Sequence, residues 1–118
     1  MEPVKRVVDV TRDVVVIARE VKGDCAAGIM PGDKIVLEGA NISLEKSDKV
    51  CGYAFGNLLP VVFAVRMGVN LRDLGLKNRL WQCVDPGPPY TKGGSVLFEV
   101  LTADEYDEEL SQGQEKES

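Results

Sequence analysis

The segment VCGYAFGNLLPVVFAV, Val50 to Val65, constrains this chain more than any other, because sixteen residues pass without one charged side chain. Helical spacing puts Val50, Ala54, Leu58, Val61 and Val65 on one face, and Phe55, Leu59, Val62 and Phe63 on another. A helix that is apolar all round is expected to be buried all round. The pattern predicts a helix from about Lys49 to Met67. Ser47 or Asp48 offers a side-chain oxygen to cap its start, and Gly68 stops it beside Arg66, whose charge suits the negative end of the helix dipole. Pro60 cannot donate to the carbonyl of Gly56, so a kink is expected there. The run is shorter than the ~20 residues of a membrane span. The start, MEPVKRVVDV, lacks the apolar core of a signal peptide. Both points predict a soluble, cytoplasmic protein without a membrane partner.

The rest of the chain reads mainly as short strands. Val4 to Val10 is β-branched and fits an edge strand, and Asp13 to Lys22 is rich in Val and Ile. Met30 to Gly39 is a turn leading into a strand, with Ile35 to Leu37 carrying the pairing. Asn41 to Leu44 extends it or adds a short strand. Asn70 to Arg79 is a short helical or turn segment. Leu80 to Asp85 and Ser95 to Thr102 are strands separated by the stiff loop PGPPYTKGG. The expected fold is α+β: a small, mostly antiparallel sheet of four to five strands packed on one central, Pro-kinked apolar helix. One such sheet covers one side of the helix. The other side calls for a second copy of the chain, in a homo-oligomer, or for a larger protein complex in which this chain is a subunit.

At 118 residues the chain is one domain, large enough to fold on its own core. The domain is expected over residues 1–102. Residues 103–118 carry seven acids and one lysine, whereas everything before them has twelve acids and thirteen bases. The net charge of −5 is therefore local, and an acidic, flexible C-terminal tail is expected. No basic stripe interleaved with aromatics is present, which argues against nucleic acid as a partner. The chain has no histidine. This excludes Ser-His-Asp triads, Cys-His dyads and His-containing zinc sites. Acid–base work falls to carboxylates, Lys, Tyr or Cys.

Three cysteines remain to be explained. Cys25 sits in the turn-rich loop KGDCAAGIMPGDK, Cys51 at the start of the helix and Cys83 near the end of a strand. None forms a Cys-x-x-Cys pair. The positive end of a helix dipole favours a thiolate, which singles out Cys51, with Lys49 close in sequence. Loops and strand ends converge on such helix ends at many binding sites. Three converging thiolates would make an open site for a soft metal or an iron–sulfur cluster, with Asp24, Asp33 and Asp85 as further ligands or proton carriers. Three unconnected buried thiols are an equal alternative, because free cysteine is among the most buried residue types. A disulfide is disfavoured in a reducing cytosol. The glycine loop matches neither a P-loop nor a GxGxxG fingerprint. Asn57, within the helix, either binds a ligand or repairs the backbone bond lost at Pro60.

The stretches VKGDCAAGIMPGDKIVLEG, CGYAFGNLLPVVFAVRMG and QCVDPGPPYTKGGSVLFEV resemble a family of small uncharacterised bacterial and archaeal proteins. Its members share a Gly-x-Cys loop followed by Gly-Asp, a Cys-x-x-Ala helix with a proline ahead of Arg-x-Gly, and a Cys-x-Asp before the last strand. The likeness runs from about Val14 to Leu101. It implies that Cys25, Cys51 and Cys83 are the family's own cysteines and share a site. It brings no activity with it. Members often carry His after the loop glycine, where this chain has Ile29.

Three functions follow as expectations. The first is an accessory or binding protein that works with a larger redox or cofactor enzyme. Cys25, Cys51 and Cys83, flanked by Asp24 and Asp85, would hold a metal, a cluster or a sulfur-containing ligand. The second is a structural interaction module whose thiols are packing. The third is a small enzyme with Cys51 as catalytic nucleophile and Asp24 or Asp85 moving protons.

Overall fold

The computed structural model describes residues 12–76, 79–83, 89 and 93–117. The strand expected at Val4 to Val10 and the site candidate Asp85 lie outside the described residues. The elements run β1 (Val14–Lys22), β2 (Lys34–Glu38), β3 (Asn41–Ile42), α1 (Gly52–Arg66), a short 3-10 turn (Leu71–Leu74), β4 (Leu80–Gln82), β5 (Ser95–Thr102) and α2 (Ala103–Glu117). The strands form one antiparallel sheet in the order β3-β2-β1-β5-β4, so the fold is α+β. Among the described residues no helix is long and apolar enough to cross a membrane.

Strand alternation divides the core in two. Val14, Val16 and Ala18 of β1 point to one face together with Ile35, Val96, Phe98 and Val100, and α1 covers them with Ala54, Leu58, Val61, Val62 and Val65. Phe98 and Leu58 are essentially inaccessible. Each such side chain contributes about 1.5–3 kcal/mol by leaving water. On the opposite face Val15, Ile17, Val36 and Leu101 form a smaller cluster that Ala103 and Tyr106 of α2 cover. The pairing of β1 with β5 skips one residue between Ala18 and Glu20, leaving Arg19 as the extra residue of a bulge. Its guanidinium bonds Glu99 and reaches Glu109 of α2.

Several expectations change. Helix α1 starts at Gly52, with Cys51 as N-cap, rather than at Lys49. Ser47 and Asp48 do not cap it, because both side chains are spent on β2. Ser47 Oγ accepts from the Val36 N–H and Asp48 Oδ2 from the Lys34 N–H, each at 2.9 Å. Pro60 lies inside the helix, as expected. Gly56 and Pro60 lie on its exposed face, where solvent can take up the missing bond. Burial all round is not met within one chain, since Tyr53, Phe63 and Leu59 are 82%, 59% and 47% exposed. The acidic segment is helical and forms α2. The Glu105 N–H donates to Thr102 Oγ1 while the Thr102 N–H donates to Glu105 Oε1, a reciprocal capping box that starts the helix.

Candidate functional site

The thiol cleft is built from three separate parts of the chain. The β1–β2 loop turns on Gly23, Gly28 and Gly32, all with positive φ, and the Gly28 N–H donates to the Cys25 carbonyl to close a tight turn. Ile29 anchors the loop in the core at 4% exposure. Lys49 Nζ donates to the Gly28 carbonyl at 2.7 Å and stands 4.0 Å from Asp33 Oδ2. Asp33 in turn accepts from the Met30 N–H. Lys49 and Asp33 therefore tie the loop to the chain leading into α1. They are struts that hold the loop in place.

Cys51 gives its backbone to the helix start, its carbonyl accepting from the Phe55 N–H at 2.8 Å. Its side chain makes no capping hydrogen bond, and no acidic residue occupies the first turn of α1. The first N–H groups of the helix therefore present their positive end beside this sulfur without a carboxylate to answer it. Cys83 extends the β4–β5 ladder by one residue. Its N–H donates to the Val96 carbonyl at 2.9 Å, and the Val96 N–H donates to Cys83 Sγ at 3.3 Å.

Cys25, Cys51 and Cys83 line one cleft of about 140 Å³, and each is half-buried and outside any disulfide. Ala26, Ala27, Ile29, Tyr53, Ala54, Gly94 and Val96 complete the wall, so no charged side chain among the described residues lines it. Asp24 is exposed and outside this wall. The structure thus gathers the three thiols and leaves Asp24 apart. Among the described residues, no three His, Cys, Asp or Glu side chains stand close enough together to hold a metal ion in their present positions. The cleft is shared, and a three-thiolate metal site would require the thiols to draw closer.

Gly94 is the functional position that sequence reasoning missed. A Cβ built there would fall 2.6 Å from the Asp24 carbonyl carbon and 2.9 Å from Cys25 Cα, and closer still to the Cys25 nitrogen. The two backbones touch, and only glycine permits it. The signal was available in the Gly93-Gly94 pair ahead of β5, but it reads equally as a turn. Asn57 serves to hold β4 against α1. Its Nδ2 donates to the Gln82 carbonyl at 2.7 Å, and Trp81 Nε1 donates to the Asn57 carbonyl at 3.1 Å, pinning β4 to α1 next to Cys83.

Compared with protein-family models, curated proteins and solved structures, the chain matches none.

Proposed function

We propose that this protein is a small binding protein whose cleft takes a thiophilic ligand, either a soft metal ion or a sulfur-containing small molecule, in the service of a larger enzyme. The observation that carries the reading is that three cysteines from a loop, a helix start and a strand end open onto one cleft. Random core packing of thiols has no reason to leave all three half-exposed on the same wall. Soft ligands select thiolate sulfur, and Cys51 stands at the open end of α1, where no carboxylate occupies the first turn. Ile29, which stands where the resembled family often carries His, lines the same cleft. The uncovered apolar face of α1 begins at Tyr53, which also lines the cleft, and is the surface on which an accessory protein would meet its enzyme.

The test is anaerobic titration of the reduced protein with zinc, cadmium and copper(I), followed by thiol labelling with and without metal. A single equivalent bound per chain, protection of all three thiols, and loss of both in Cys51→Ser with an unchanged circular dichroism spectrum are expected. No binding, together with labelling rates indifferent to every metal, would reject the metal form. Labelling that low-molecular-weight persulfides or disulfides also leave unchanged would reject the reading altogether.

A second reading has its own support. Cys51 is uncapped at the start of a fifteen-residue helix, which suits a nucleophile. It predicts that Cys51 alkylates faster than Cys25 and Cys83 at mildly acidic pH.

A further inference from the structure

A second cleft, of about 450 Å³, lies at the far end of α1, where the helix stops and β5 passes into α2. Arg12, Arg72 and Arg79 line it, with no lysine, and Glu105 is the one carboxylate among its described lining residues. Three of the chain's six arginines thus line one cleft, in a molecule whose net charge is −5. Part of this charge has a structural use, since Arg79 is paired with Glu99 and Glu105. The exposed Arg72 guanidinium has no ion-pair partner among the described residues, although its backbone is fixed by the Asn70 side chain. Val65, Leu71 and Val100 give the same cleft an apolar floor.

Guanidinium groups present paired N–H donors that match the oxygens of phosphate and carboxylate, which an ammonium does not. The volume falls within the ~300–1,000 Å³ usual for small-molecule sites. We propose that this cleft binds a small organic anion bearing a phosphate or carboxylate group, its charged end against Arg72 and Arg12 and its apolar part over Leu71 and Val100. The proposal stands apart from the thiol cleft, which lies at the opposite end of the helix.

The full chain is titrated calorimetrically with pyrophosphate and with citrate at matched ionic strength. Saturable binding of at least one probe is expected. Arg72→Ala should weaken it about tenfold or more, the loss that follows from removing a charged hydrogen-bonding group. Arg72→Lys should restore only part of it, and Lys46→Ala, on β3's side of the sheet, should leave it intact. Arg72 is exposed, so its replacement leaves the core untouched. A preference for pyrophosphate assigns a phosphate ligand and a preference for citrate a carboxylate. No saturable binding of either probe, or equal weakening by Arg72→Ala and Lys46→Ala, overturns the proposal.

Discussion

The two faces of the sheet are held by different physics. Among the described residues, the α1 face buries fifteen in one apolar cluster, and the α2 face buries four. What the second face lacks in area it replaces with directed polar contacts: the Thr102–Glu105 capping box, the Arg79 pairs and the Arg19–Glu109 bond. Apolar burial is insensitive to pH and salt, whereas exposed ion pairs contribute little and are screened. The α1 face therefore sets whether the chain folds, and the α2 face sets whether its last helix stays docked. The thiol cleft belongs to the first face and shares its robustness.

Substitution in the large cluster should have the greatest effect. Phe98→Ala should lower the unfolding free energy by about 3–5 kcal/mol, measured by urea denaturation. A loss no greater than that of a surface substitution would erase the distinction between the faces. Gly94→Ala comes next, at about 1–3 kcal/mol, because backbone has to give way to the new methyl group. The same variant should change the labelling rate of Cys25 more than that of Cys83. Unchanged stability together with unchanged labelling would show that the loop does not rest on Gly94.

The smallest effect tests the polar face. Burial pushes the Glu105 carboxyl upward, but hydrogen bonds from the Thr102 backbone and hydroxyl and the Arg79 guanidinium outweigh it, so the group lies below the usual glutamate range. Its contribution is therefore complete above the unfolded glutamate value and is lost as pH falls through the lower folded value. Helical signal from α2 should decline over that acidic window while the sheet and α1 persist. Glu105→Gln should remove the pH step at a cost of about 1 kcal/mol, the usual worth of a cap. An identical acid profile in that variant would assign the effect elsewhere.

Much of the framework was legible in the residues. Val, Ile and Phe patterning gave β1, β2 and β5, and Gly68 marked the end of α1, because local preference and burial agree there. The helix start was misplaced because Ser47 and Asp48 are good caps by type, and only the sheet reveals that β2 has claimed their oxygens. The acidic segment was read by net charge, which hid the Thr102-x-x-Glu105 spacing and the apolar Tyr106 that dock it. Convergence of the thiols on one cleft was one of two alternatives that their places along the chain left open. The contact of Gly94 with Cys25 did not, because it joins positions far apart in sequence and no side chain takes part.

That contact has a geometric consequence. Where two main chains touch, no rotamer change can widen or narrow the gap, so one edge of the thiol cleft has a fixed span. The span is inherited from the pairing of Val21 with Val96 and Lys22 with Ser95 just beside it. A slip of one residue in that pairing would turn Val96 and Phe98 out of the core. The sheet thus acts as a ruler for the sulfurs: the same hydrophobic alternation that keeps β5 in register also keeps Cys25 at a set distance from β5, to which Cys83 is bonded at Val96.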